Sequence, residues 1–302
     1  MVTQHANHPP RILLIGNTGQ LGWELERTLA PLGELQACDY PQVDLLKPDS
    51  IRQVFHQFRP DLVINAGAYT AVDRAESEPD QAQAINAIAP GILAEEALQA
   101  RAGFIHYSTD YVFDGLKGTP YIESDSPNPL SVYGRTKLAG EQEVQQIGGG
   151  YIILRTSWVY SLRRDSFVNK VLGWARTQTH LKLVNDQVSG PTWARMLAEV
   201  TSHLVLLDGA DLFDWFSEHH GLYHLAGSGY CSRFEWGQEV LRLDPHRDEQ
   251  IVQGLEPALT VDFPTPARRP LFSALSCDLF TDSFHLALPD WKYSLRLAME
   301  SL

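Results

Sequence analysis

The stretch Arg11–Gly22, RILLIGNTGQLG, decides the fold. Arg11–Gly16 is a short apolar run, the form of a parallel strand buried on both faces. Gly16, Gly19 and Gly22 then space a turn as GxxGxxG, and Gln20 and Leu21 open a helical stretch running to about Leu32, with apolar Leu21, Leu25, Leu29 and Leu32. Glycines spaced this way let the backbone turn sharply and approach a pyrophosphate, which sits at the positive helix N-terminus. The bland alternative is a tight turn with no ligand. The strand–turn–helix context favours a dinucleotide site.

The alternation continues outward. Leu35–Cys38, Asp61–Ala66, Gly103–Ser108 and Tyr151–Thr156 read as further strands. Asp49–Phe58, Ala82–Ala100 and Tyr133–Gln146 read as helices, with Pro90 predicting a kink or a break. Alternating strands and helices joined by short turns predict βαβ units, hence an α/β, Rossmann-type doubly wound parallel sheet. The second half is less regular. Leu181–Asn185 and Leu222–Ala226 look like strands, and Phe167–Arg176, Trp193–Leu207 and Arg233–Leu243 like helices. Gly254–Pro270 is proline-rich and reads as loop, and a short helix follows Pro289. The expected organisation is a flexible tail over 1–10, a dinucleotide-binding domain over 11–160, and a smaller C-terminal α/β substrate-binding lobe over 161–302. Strands near 181–186 and 222–227 are expected to return to the first domain.

The chain has 302 residues, 44% hydrophobic and 20% charged, enough apolar material for a sizeable core. Its net charge of −13 disfavours nucleic acid and anionic membranes as partners. No apolar run reaches the ~18 residues of a membrane span. Met1–Pro10 is polar, lacks the apolar stretch of a signal peptide, and carries His5 and His8 as solvated residues. Three scattered cysteines, Cys38, Cys231 and Cys277, form neither a disulfide framework nor a zinc site, and free thiols fit a reducing cytoplasm.

Two features carry chemistry. Asp39 ends the second strand, where an acid accepts from an adenosine ribose. That favours NADH over NADPH, because a 2′-phosphate would meet a carboxylate; Asp44 is the alternative for the adenosine side. Tyr133 and Lys137 lie four apart on one helix face, and Ser108-Thr109-Asp110 ends the fourth strand, where open parallel sheets bind ligands. A lysine beside a tyrosine lowers the phenol pKa from ~10, which suits Tyr133 to act as general acid or base with Thr109 orienting the reacting oxygen. His219-His220 and the DLFDWFSEHH stretch read as solvent-facing, and no cluster suggests a metal.

Longer strings resemble one family. Asn65–Glu76 (NAGAYTAVDRAE), Ser108–Gly115 (STDYVFDG), Val132–Glu141 (VYGRTKLAGE), Arg155–Tyr160 (RTSWVY), Asn185-Asp186-Gln187, Pro191-Thr192 and Pro264–Pro270 (PTPARRP) are similar to the dTDP-4-dehydrorhamnose reductases of the extended short-chain dehydrogenase/reductase superfamily. The resemblance runs from about Arg11 to the C-terminus. It implies a cytoplasmic reductase, monomer or homodimer, that uses NADPH or NADH to reduce the C4 keto group of a dTDP-sugar. It implies Thr109, Tyr133 and Lys137 as catalytic residues. Gly16, Gly19, Gln20, Leu21, Gly22, Asp39, Asp44, Ala68, Tyr69, Thr70, Tyr107, Tyr133 and Lys137 would hold the cofactor. Thr109, Asp110, Tyr111 and Trp158 would line the sugar pocket, with Arg268 and Arg269 on the diphosphate. Some members use a divalent ion such as Mg2+ at a dimer contact; no residue here is assigned to one. Ser166, Ser189-Gly190 and Phe272 depart from the family's pattern, all on the substrate side.

Overall fold

The computed structural model describes residues 9–207 and 211–302. His5 and His8, with most of the expected tail, lie outside the described residues.

The centre is a six-stranded parallel sheet. In chain order its strands are β1 (Arg11–Ile15), β2 (Glu34–Cys38), β3 (Leu62–Asn65), β4 (Gly103–Thr109), β5 (Tyr151–Thr156) and the edge strand Gly221–His224. Across the sheet the order is Gly221–His224, β5, β4, β3, β1, β2. β1 shows why the apolar run is continuous. Ile12 and Leu14 face one core, with Leu25 and Leu204, while Leu13 and Ile15 face another, with Phe55 and Leu93. Helix α1 (Gln20–Leu29) and the Ala194–Val205 helix cover the first face. Helix α2 (Pro48–Phe58), the Ala89–Ala100 helix and the Val132–Ile147 helix cover the second. Doubly wound parallel sheets bind ligands where strand order reverses, and here it reverses between β1 and β3.

Pro90 neither breaks nor stops its helix. Ala84–Ile88 forms a π-helical turn immediately before it, which absorbs the missing N–H, and helical backbone runs from Pro79 to Ala100. Two other expectations change. His180–Val184 does not return to the central sheet; it pairs in parallel with Gly254–Ala258, the first part of the stretch read as loop. Pro257 is tolerated because this is a two-stranded ribbon with open edges. Around this ribbon a separate apolar core gathers Tyr160, Val168, Leu183, Trp236, Val240, Trp291 and Leu295.

Candidate active site

At the reversal point, the turns after β1 and β3 meet backbone to backbone. Gly16 has φ +88°, and a Cβ there would lie 2.5 Å from the Gly67 amide nitrogen. Only glycine fits this close approach in that conformation. Gly19 is the N-cap of α1, and no side chain caps the helix or puts an acid in its first turn. The Gln20 and Leu21 amides therefore head a helix whose positive end is open to an anion. Gln20 Oε1 is buried without a partner at the same place. The close glycine approach and the open helix end fit a dinucleotide pyrophosphate.

Asp39 follows β2 and accepts from the Thr18 hydroxyl and, at 3.4 Å, the Thr18 amide, so its carboxylate faces the glycine turn. Asp44 is committed locally: it accepts from the Leu46 amide at 3.1 Å and pairs with Lys47 at 3.0 Å, a contact that holds its pKa below the usual carboxylate value. Ala68, Tyr69 and Thr70 form the turn after β3. Asn86 pins it, accepting from the Tyr69 amide at 2.8 Å and donating to the Tyr69 carbonyl and to Thr136 at 3.1 Å each. Thr136 lies on the helix of Tyr133 and Lys137, so this asparagine ties the expected cofactor turn to that helix.

Ser131 caps the Val132–Ile147 helix, accepting from the Gly134 amide at 3.1 Å. A Cβ on Gly134 would come within 2.3 Å of the Tyr111 carbonyl oxygen, so glycine is what lets this first turn press against the end of β4. The result sets the Tyr133 phenol beside the Thr109 hydroxyl, which acts to lower its pKa. Tyr111 stands edge-on to the Tyr133 ring, with centroids 5.7 Å apart. Thr109 also accepts from the Tyr111 amide and donates to Asp110 Oδ1, both at 3.2 Å. Asp110 is buried and accepts further from Ser273 at 2.5 Å and Ser189 at 3.1 Å. Burial outweighs these bonds and pushes its pKa up to about 6.

Lys137 behaves differently from expectation. Its ammonium is buried and donates to the Tyr107 carbonyl at 2.6 Å, with His106 Nε2 at 3.4 Å. Burial pushes its pKa down to about 8. The Tyr133 pKa is raised by burial; the Thr109 hydroxyl opposes that shift and the Asp110 charge adds to it. Burial is the largest influence on the phenol here, and the lysine ammonium is engaged by the strand backbone. Tyr107 faces the site with its backbone and not its side chain. Its ring lies in the core with its hydroxyl on Thr201 at 2.7 Å, and what it offers the site is its carbonyl.

A cavity of about 510 Å³ is lined by Gln20, Trp158, Ser166, Phe167, Arg233 and Arg269 among others; Thr109, Tyr133 and Lys137 are not in its wall, and Arg233 and Arg269 connect it to Asp110 and Tyr111. Trp158 sits at φ +40°, rare for a bulky residue, and is held by stacking on Trp236 at 5.5 Å. The departures from the family's pattern have local roles: Ser166 caps the Phe167–Ala175 helix, Ser189 bonds Asp110, and Phe272 packs edge-on to Tyr230. The two arginines expected on the diphosphate are placed differently. Arg268 is exposed and does not line the cavity. Arg269 lines it, but its guanidinium is engaged with Asp73 at 2.7 and 3.1 Å and with the Ala267 carbonyl. A cation in an acidic chain finds the nearest carboxylate. Arg233 was not legible in the sequence, because only the folded chain brings it beside Trp158. His219 and His220 bond the carbonyls of Trp215 and Ser217, and among the described residues no group of three or more His, Cys, Asp or Glu could hold a metal.

Residues 10–302 match the family described as RmlD substrate binding domain. The chain is 41% identical to the dTDP-4-dehydrorhamnose reductase of Escherichia coli K12, covering 96% of this chain and 97% of that protein. It is 38% identical to the enzyme of the same name from Burkholderia thailandensis, over 97% and 99%. The crystal structure of dTDP-4-dehydrorhamnose reductase from Bacillus anthracis in complex with NADP superposes with a TM-score of 0.88 at 29% identity, over 97% of this chain and all of that one.

Proposed function

The chain belongs to the RmlD substrate-binding-domain family, which its dTDP-4-dehydrorhamnose reductase relatives represent, and from that premise we propose that it is an NAD(P)H-dependent oxidoreductase reducing dTDP-4-dehydro-6-deoxy-L-mannose to dTDP-L-rhamnose, the last step of dTDP-rhamnose biosynthesis. The observation that carries this reading is that Thr109, at the carboxyl end of β4, and Tyr133, on the helix capped by Ser131, come together in the same fold as an open helix N-terminus after β1.

Cofactor binding is assigned to residues mainly within 11–160 and sugar-nucleotide binding mainly to 161–302. Gly16, Gly19, Gln20, Leu21 and Gly22 hold the pyrophosphate, Asp39 the adenosine ribose, and Ala68–Thr70 the nicotinamide half. When bound, the nicotinamide supplies hydride to the C4 carbonyl carbon. Tyr133, kept protonated by burial, gives its proton to the carbonyl oxygen. Thr109 turns its single O–H from Asp110 to the same oxygen and orients it toward the phenol. Lys137 holds a positive charge under the site below pH about 8 and is the group on the nicotinamide ribose. Trp158 and Asp110 line the sugar pocket. Among the described residues no helix is long and apolar enough to cross a membrane, and with three free cysteines the reading is a cytoplasmic enzyme, monomer or homodimer.

The test is steady-state oxidation of NADPH and of NADH with the dTDP-4-keto sugar. Stoichiometric oxidation yielding dTDP-L-rhamnose is expected. Sugar isomerisation without net oxidation would make the protein an epimerase, and binding without any turnover would make it a regulatory subunit.

A further inference from the structure

Arg233 occupies a place that local rules disfavour. It is the first residue of the Arg233–Leu243 helix, where a cation opposes the helix dipole. Its backbone is fixed by a capping box, with Ser232 Oγ accepting from the Glu235 amide at 3.1 Å and Glu235 accepting from the Ser232 amide at 2.7 Å. Its guanidinium lies over three rings, 3.7 Å from the Trp158 centroid, 5.0 Å from Phe167 and 5.4 Å from Trp236.

The other cations that line this cavity have acidic partners. Lys170 pairs with Asp165 at 3.1 Å, Lys182 with Glu256 at 3.5 Å and Arg269 with Asp73 at 2.7 Å. Among the described residues no carboxylate lies within ion-pair distance of Arg233, and its side-chain N–H groups meet no acceptor. Asp110, the carboxylate whose charge acts on it, already accepts three hydroxyls. Aromatic faces stabilise the charge, but a π-face leaves the five donors of a guanidinium without lone pairs to meet. A half-buried cation with free donors, set rigidly in a cavity wall, is built for an anion that arrives from outside.

We propose that Arg233 binds the diphosphate of the nucleotide-sugar substrate and supplies its counter-charge in this cavity. This rests on the reading of the cavity as a nucleotide-sugar site. The Trp158, Phe167 and Trp236 rings fix the plane of the fork, so little side-chain freedom is lost when the phosphate oxygens engage. Arg269 then anchors the loop while Arg233 makes the contact.

The experiment is calorimetric titration of the whole protein with dTDP, thymidine and inorganic pyrophosphate, for wild type, Arg233→Lys and Arg233→Met. Losing charged hydrogen bonds of this kind weakens dTDP about 10–100-fold in Arg233→Met. Thymidine affinity stays unchanged, and Arg233→Lys falls between. The salt dependence of dTDP binding flattens in Arg233→Met, because one screened attraction is gone. Wild-type dTDP affinity in Arg233→Met, or an equal loss for thymidine, overturns the role of Arg233 and leaves the enzyme reading standing. If wild type binds neither dTDP nor pyrophosphate, the nucleotide-sugar reading itself fails and the proposal with it. Should Arg233→Met not fold, Arg233→Lys decides: unaltered dTDP affinity together with an unaltered pyrophosphate affinity counts against the contact.

Discussion

The Lys137 ammonium donates to the carbonyl oxygen of Tyr107 at 2.6 Å, so the charge at the foot of the site is held by the backbone of β4. Burial depresses its pKa, and Glu141 is the neighbour that opposes the shift. The Gly67 amide donates to Asn65 Oδ1 at 3.1 Å, and the amide of that asparagine then faces His106 Nδ1 at 3.2 Å. His106 is kept neutral by burial and by Lys137, and its far nitrogen faces the lysine at 3.4 Å. Glu141, which favours the charged lysine, is itself bound by Arg155 at 2.6 and 2.8 Å.

This arrangement predicts a pH signature in stability. The folded lysine titrates at about 8 against 10.5 unfolded. Between those values the unfolded chain holds a proton the folded chain has released, so rising pH favours the folded state. The cost of the buried charge is full below pH 8 and is relieved as pH approaches 10.5. The urea-unfolding free energy of wild type minus that of Lys137→Met should rise by roughly 3 kcal/mol from pH 7 to pH 10.5. A flat difference would mean an ordinary lysine.

Tyr133→Phe removes the proton donor and keeps the ring that Tyr111 packs against. General acid catalysis is worth ~10²–10⁴-fold, so kcat should fall by about that factor while cofactor affinity holds. Single-turnover rates with saturating cofactor check this; a near-normal rate would take Tyr133 out of the chemistry.

Asp39→Asn drops the charge that faces the glycine turn and keeps an acceptor for Thr18. The NADPH/NADH ratio of kcat/KM should rise, because a 2′-phosphate no longer meets a carboxylate. An unmoved ratio would place the ribose elsewhere. Asp44 is a poor substitute, since Lys47 and the Leu46 amide already hold it.

Much of this site was legible in local sequence. The glycine turn, the strand-end threonine and the helix-start tyrosine are set by short-range rules. Tyr107 was not, because alternation along β4 does not say which face holds a partner; Thr201, 94 residues away, does. Arg233 and the Gly254–Ala258 strand also depend on distant partners, Trp158 and His180–Val184. Pro90 predicts a kink or a break because the compensating π-helical turn has no simple sequence mark.

Gly16→Ala tests the close approach at the reversal point. At φ +88° the methyl would meet the Gly67 nitrogen at 2.5 Å, and backbone on both sides leaves nothing soft to move. The loss should be on the order of 3 kcal/mol or more, with cofactor binding abolished. Thermal denaturation and NADPH titration measure both. A melting temperature within about 2 °C of wild type would show that the two turns separate freely.

Arg269 and Asp73 are the last pair to separate by measurement. Their bidentate contact joins the Pro264–Pro270 loop to the short helix Val72–Ala75 that follows the expected cofactor turn, and the Ala267 amide adds a bond to Asp73 at 3.2 Å. The arginine also lines the cavity. If it acts as a loop anchor, either partner's removal frees the same loop. Arg269→Ala and Asp73→Asn should each raise the substrate KM about 10-fold, and the double variant should be no worse than either single one, the mark of two groups acting as a unit. Arg268→Ala, on the exposed side, should leave KM within about two-fold, as surface changes do. Losses that multiply in the double variant would mean that Arg269 also touches the substrate directly, and a normal KM in Asp73→Asn would leave the anchor without a function.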